Sequence, residues 1–168
     1  VIAPNGYPIF IVLSSVNMSG LELVPFSEAS VPTGFPVPIP SEAFVPPAAI
    51  VVYKGELLVA DMIIEGYPRG IAVYEASLLA SLLNVYVDPY YIVDGRGSEA
   101  YESAPVYVYK AITVYVDNLT SNELPVIRKT YWRSISLSNI TVNDVPVTIV
   151  ENESVVITGE IFYEPVIV

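Results

Sequence analysis

The sequence contains no cysteine, no histidine and no glutamine. Without cysteine and histidine, disulfides, serine and cysteine triads and ordinary zinc sites are excluded. The catalytic arrangement that is left is a pair of carboxylates of the glycosidase type. Its candidates lie in the segment VDPYYIVDGRGSEAYE and are Asp88, Asp94, Glu99 and Glu102. We interpret this segment as a solvated loop and predict that the protein is not an enzyme.

The same acidic segment is the one candidate for a bound cation. It lacks the D-x-[DN]-x-[DN]-G spacing of an EF-hand loop. We therefore predict no metal and no cofactor, with calcium at Asp94 and Glu99 as the alternative.

Basic residues are scarce, and the chain has three lysines and four arginines against 18 acidic residues, a net charge of −11. Such a chain repels phosphates, so binding to nucleic acid or to anionic lipid is not expected. Long apolar runs are also missing, since the longest candidate, Phe44–Tyr53, contains two prolines. A membrane helix needs about 18 apolar residues, so no membrane span is predicted.

The apolar content is nevertheless high: 53% of the residues are hydrophobic, the mean hydropathy is +0.55 and only 15% are charged. An average chain has about 25% charged residues. We interpret the surplus apolar surface as contact surface for a partner, and a second copy of the chain is the partner we predict.

Short apolar runs separated by turn signals fill most of the 168 residues. They predict an all-β protein, an antiparallel sandwich of jelly-roll or Greek-key type with at most one short helix at Tyr74–Asn84. We find no internal repeat of fixed period. The predicted organisation is a strand arm at 1–24, a stiff proline-rich connector packed on the domain at 25–47, and the sandwich at 48–168.

The strongest strand signal is Pro105–Asp117, PVYVYKAITVYVD. Its alternation predicts one strand with two faces. Val106, Val108, Ile112, Val114 and Val116 share one face, and Tyr107, Tyr109 and Tyr115 share the other. Valines suit a sheet interior, whereas tyrosines suit an interface.

Four N-x-[ST] sequons, more than composition predicts, begin at Asn17, Asn118, Asn139 and Asn152. Eight asparagines and 22 Ser or Thr residues in 168 positions predict about one by chance. We therefore expect N-linked glycans.

The segment GYPIFIVLSS near the start is apolar on both faces. A strand of this kind lies between two other strands, so we predict that Tyr7–Leu13 is a donor strand inserted into a neighbouring subunit's sheet. The interface residues are Tyr7, Ile9, Phe10, Ile11, Val12 and Leu13. Head-to-tail insertion of this kind does not form a closed ring of subunits, so it produces a filament.

Four features carry a resemblance to a known family: the donor segment YPIFIVL, the four sequons, the absent cysteine and the Val/Tyr/Pro-rich strands. In these features the chain resembles subunits of extracellular filaments of hyperthermophilic archaea, of the thread and bundling-pilus type. The resemblance implies a thermostable β-sandwich, export with a signal peptide, donor-strand complementation and N-glycosylation. We expect a signal peptide to have preceded Val1 and the protein to lie outside the cell.

Two other functions stay open. An adhesive or carbohydrate-binding module would stack sugars on Tyr86, Tyr90, Tyr91 and Tyr101. A capsid or surface-layer component would self-assemble into a shell.

Overall fold

The computed structural model describes residues 2–4, 8–26, 48–93, 97–100, 102–123, 127–129, 132–150, 154–157 and 160–162. Within these ranges it contains sixteen β-strands and no helix. The strands are β1 Ile2–Pro4, β2 Phe10–Val12, β3 Ser15–Phe26, β4 Ala48–Tyr53, β5 Glu56–Glu65, β6 Arg69–Tyr74, β7 Ser77–Tyr86, β8 Tyr90–Val93, β9 Gly97–Ala100, β10 Ala104–Tyr109, β11 Ala111–Ser121, β12 Ile127–Lys129, β13 Trp132–Val142, β14 Val145–Val150, β15 Ser154–Ile157 and β16 Glu160–Phe162.

The strands form two main sheets and one hairpin. The large sheet has nine strands in the order β1-β3-β5-β7-β11-β13-β14-β15-β16, and the small sheet has five in the order β12-β10-β6-β4-β2. The hairpin is β8-β9. Antiparallel pairing is confined to this hairpin and to β13 through β16, and every other strand pair is parallel.

Successive strands alternate between the two sheets. One small-sheet strand and the large-sheet strand that follows it make a coil, and the five coils are β2-β3, β4-β5, β6-β7, β10-β11 and β12-β13. Each strand pairs in parallel with its equivalent in the next coil, which is the arrangement of a two-sheeted β-solenoid. The predicted antiparallel jelly-roll or Greek-key sandwich is therefore wrong. Both folds bury alternate residues, so the alternation alone did not separate them.

The solenoid has a 21-residue repeat that the sequence analysis missed. Ala48 pairs with Arg69 and Thr113 pairs with Ser134, in each case 21 residues further along the chain. The period is interrupted twice, by residues 27–47 between the first and second coils and by the β8-β9 hairpin between the third and fourth. Two unequal insertions in five coils hide a fixed period.

In each of the five coils, a residue with a left-handed backbone interrupts the large-sheet strand at the same position. We call this set the kink row: Gly20, Asp61, Leu82, Asn118 and Asn139, with φ of 64°, 52°, 51°, 56° and 52°. The residues are aligned, because the pairs on either side of each are in register. Glycine and asparagine enter this conformation more easily than other residues.

The predicted helix at Tyr74–Asn84 is wrong, because Ser77–Tyr86 is the strand β7. Before Leu82 the buried side chains are Leu78 and Ala80, and after it they are Leu83 and Val85. The left-handed residue shifts the inward parity by one position. Leucines on both sides of this shift imitate the spacing of a helix face.

The core lies between the two sheets and contains one inward residue of each coil at each level. One such level runs through Leu57, Leu78 and Val114, all fully buried. At the two ends of the solenoid several inward residues are only partly buried, although others of the same coils are buried. The partly buried ones are Val16, Met18 and Leu21 in the first coil, and Ile135 and Leu137 in the last. No further coil covers them in the part of the chain that the structure describes.

The predicted donor segment lies within its own chain in this structure. Phe10–Val12 pairs in parallel with Ile50–Val52, and the Ile9 N–H donates to the Ala49 carbonyl at 2.7 Å. Tyr7 lies outside the described residues. This position differs from the predicted insertion into a neighbour, and β2 is instead an edge strand of the small sheet.

The residues assigned to the N-terminal arm also belong to the solenoid. β3 pairs with β5 from Ser15 to Leu23, and the Leu23 side chain is fully buried in the common core. Most of the predicted proline-rich connector, residues 27–47, lies outside the described residues.

Candidate functional site

A groove of about 650 Å³ crosses the outer face of the large sheet along the kink row. Its floor comes from four successive coils, and its side wall comes from β14. The lining residues are Asp61, Leu82, Asn84, Asn118, Thr120, Asn139, Ile140, Thr141, Pro146 and Val147. The side wall of the groove therefore exists only beside the last coil, where the antiparallel strand β14 follows it.

Two rows of side chains run along the groove floor. One is the kink row, and the other follows it two positions later on each strand, at Asn84, Thr120 and Thr141. Neighbouring strands lie about 4.8 Å apart, so each row presents a side chain at that spacing along the solenoid axis. Apart from Asp61, the polar side chains of the two rows are uncharged amides and hydroxyls.

Asp117 fixes the two asparagines of the groove. Its Oδ1 accepts hydrogen bonds from Ser138 Oγ at 2.7 Å and Asn139 Nδ2 at 2.8 Å, and its Oδ2 accepts one from Asn118 Nδ2 at 2.9 Å. A carboxylate can only accept, so each amide must direct its Nδ2 at it. The bond from Ser138 and then that from Asn139 hold the pKa of Asp117 below its ordinary value.

The structure gives the sequons a second explanation. Asn118 and Asn139 occupy one position of successive coils, so they are a repeated feature and not two independent occurrences. Their left-handed backbone by itself favours asparagine. Asn17, Asn118 and Asn139 are exposed, and Asn152 lies outside the described residues. Glycosylation stays a prediction.

The described tyrosines among those predicted to stack on sugars lie on two different elements. Tyr86 is 41% exposed on β7, at the large sheet, whereas Tyr90 belongs to the β8-β9 hairpin. Tyr91 lies on β8, and Tyr101 is outside the described residues. A different tyrosine, Tyr115, is 42% exposed on the outer face of β11.

The predicted acidic loop is partly outside the described residues. Asp94 is not described, and Glu99 lies on β9. The Asp88 Oδ1 accepts a hydrogen bond from the backbone N–H of Tyr90 at 2.9 Å. In the described part of the chain, no three Asp or Glu side chains are close enough together to hold a metal ion.

A buried arginine that the sequence analysis did not single out lies on the small sheet. The Arg69 guanidinium lies 3.5 Å from the centre of the Tyr107 ring, and its Nη1 donates to the Tyr74 hydroxyl at 3.2 Å. Burial lowers the pKa of Arg69, and the two tyrosines partly oppose this shift. We interpret it as a structural contact that joins β6 to β10.

The two ends of the solenoid have open sheet edges. The small sheet ends in β2 at one end and in β12 at the other. At the far end β14 pairs with β13 only at residues 140–142. The rest of the β13 edge has no strand partner among the described residues.

Comparison with known proteins finds no match, whether with protein-family models, curated proteins or solved structures. The part of the chain that the structure describes has no helix that could cross a membrane.

Proposed function

We propose that this chain is a structural subunit of an extracellular filament that grows by contact between opposite ends of the solenoid. The observation that supports this most is the pair of open ends. Each end combines a parallel strand edge with inward apolar side chains that are only partly buried. Solenoids that stay monomeric cover such ends with polar capping units.

The strands of the two ends share one register, because both belong to the same repeat, although the corner between the two strands is two residues shorter in the first coil than in the last. Following the register through the coils, Phe10 is equivalent to Ile127, and Ser15 is equivalent to Ser134. The first coil of one copy can therefore continue the last coil of the next as if it were the following coil. β14 occupies the edge at residues 140–142, so this contact is confined to the half of the coil before the kink row.

Charge supports the same pairing of ends. Residues 127–142 contain three of the seven basic residues and no acidic residue, although the whole chain has a net charge of −11. Residues 8–26 of the opposite end contain one charge, Glu22. Two identical basic ends would repel each other, whereas the nearly uncharged first coil does not oppose contact with the basic last coil.

An end-to-end contact of this kind uses two different surfaces and does not close, so it produces a filament. In this proposal the segment predicted as a donor strand is still the contact segment. It contributes as the exposed edge strand β2 and keeps its own pairing to β4.

Negative-stain electron microscopy of the purified protein tests the proposal. Ile11→Asp places a charge on the edge strand β2, and edge charges block pairing between sheets. We expect filaments of the unaltered chain and none of the Ile11→Asp protein. Circular dichroism should show that the Ile11→Asp protein is still folded. The matched control is Ile112→Asp, at a 51% exposed isoleucine on the interior strand β11, which is expected to form filaments. Closed shells, or filaments from Ile11→Asp that equal those of the unaltered chain, would contradict it.

A further inference from the structure

We propose that the groove along the kink row binds an uncharged, hydroxyl-rich chain, that is, a neutral polysaccharide. This site is independent of the open ends and does not require a filament.

The groove offers hydrogen-bonding groups in a fixed arrangement. Asn118 and Asn139 each use one N–H of the Nδ2 group to bond Asp117, which leaves the amide oxygen and the second N–H of each for a ligand. Thr120 and Thr141 add hydroxyls that donate and accept. Because these groups recur on adjacent strands, they suit a polymer that carries hydroxyls on every unit.

The charge of the groove selects against other ligand classes. The described residues that line it include no lysine or arginine, and Asp61 is the one charged side chain among them. A phosphate or carboxylate polymer would have no cation to bind and would meet the excess negative charge of the chain. A neutral ligand with many O–H donors avoids both problems.

Leu82 is the second observation that points to a ligand. It is the one member of the kink row whose side chain does not favour the left-handed conformation, and it is 56% exposed inside the groove. A left-handed backbone costs such a residue about 1–2 kcal/mol. Backbone strain at a surface groove is a reason to assign a function to the strained side chain, and an apolar patch between polar rows fits the C–H face of a sugar ring.

Tyrosines lie on the same face at both sides of the groove. Tyr86 follows Asn84 by two residues, and Tyr115 precedes Asn118 by three, which at about 3.3 Å per residue places them roughly 7 and 10 Å from the polar rows. Both are about two-fifths exposed. Their rings provide further amphipathic surface for a chain longer than the groove.

Affinity electrophoresis tests this with monomeric protein from a host that does not attach N-glycans. The gels contain a soluble β-glucan, a mannan or a galactan as neutral probes, and polygalacturonate as the anionic probe. We expect at least one neutral polymer to retard the protein and polygalacturonate not to. Retardation by no neutral polymer, or equal retardation by polygalacturonate, would overturn the proposal.

Two groove variants sharpen the test. The double variant Asn84→Ala, Thr141→Val removes polar groups from two coils and should raise the Kd for the retarding polymer at least tenfold. Thr113→Val, the matched control, lies on the outer face of β11 before the kink row and should bind normally. Leu82→Asn should bind more weakly although it folds at least as stably, which separates lost binding from lost folding. Normal binding by both groove variants would contradict the assignment.

Discussion

Replacing Leu82 by asparagine should stabilise the protein, although the change removes a leucine. Leu82 has φ of 51° and a side chain that is 56% exposed, so little apolar burial is lost. The left-handed backbone costs a leucine about 1–2 kcal/mol, and asparagine tolerates it better. Asn118 and Asn139 hold the same conformation at the equivalent positions. We expect a gain of about 1 kcal/mol in the free energy of unfolding, or roughly 2–4 °C in Tm for a chain of this size.

Urea unfolding of the monomer measures this gain, with Leu79→Asn as the control. Leu79 lies on the same strand, is 36% exposed and is not left-handed. Leu79→Asn therefore removes a similar apolar group without relieving strain and should not stabilise. A Leu82→Asn midpoint at or below that of the unaltered chain would refute the assignment of strain to the kink row. A gain in both variants would show that exposure of the leucine, and not its backbone, is the cause.

Three further results are expected. Gly70→Ala should destabilise by about 1–3 kcal/mol in urea unfolding, because the added Cβ would lie 2.6 Å from the Pro105 carbonyl oxygen; a change of less than 0.5 kcal/mol would contradict this close approach. The lowered pKa of Asp117 adds stability that is complete above the unfolded value near pH 3.9 and is lost as the pH falls through the lower folded value. The loss of Tm as the pH falls below about 4 should therefore be flatter for Asp117→Asn than for the unaltered chain, and an unchanged profile would count against the network. Asn118 and Asn139 lie on adjacent strands about 4.8 Å apart, so protein from a glycosylating host should carry sugar on one of them per chain. Mass spectrometry of a fragment that contains both sites measures this, and a doubly modified fragment would contradict it.

The sequence located strands well but not their arrangement. Pro105–Asp117 was predicted as one strand, and the structure divides it at Lys110, which is left-handed, into β10 of the small sheet and β11 of the large sheet. Val106 and Val114 are buried as predicted, because the corner preserves the alternation across it. Ile112 was assigned to the buried face and is exposed, since it lies directly after the corner.

Pairing direction could not be read from the chain. An inward–outward alternation is common to antiparallel sandwiches and to two-sheeted solenoids, and the 21-residue period is broken by two insertions. At the groove, the sequence predicted Asn118 and Asn139 as glycosylation sites and not as the lining of a groove. The groove itself depends on Pro146 and Val147 of β14, which approach the kink row only through the fold.

The proposed contact between solenoid ends is tested most directly by disulfide trapping, since the chain has no cysteine of its own. In the proposed contact, Asn17 of one copy would lie beside Ser136 of the next, about one strand spacing of 4.8 Å away, which is within the Cα separation of about 4.4–6.8 Å that a disulfide needs. Within one copy these residues are four strand spacings apart, roughly 19 Å. An Asn17→Cys, Ser136→Cys protein can therefore cross-link at these positions only between copies.

The control pair is Ser19→Cys with Ser136→Cys, two residues out of register and roughly 8 Å apart in the same contact. After oxidation, a non-reducing denaturing gel should show a ladder of covalent oligomers for the in-register pair and mostly monomer for the control. Monomer alone from the in-register pair, or ladders of equal strength from both pairs, would contradict filament growth by contact between solenoid ends.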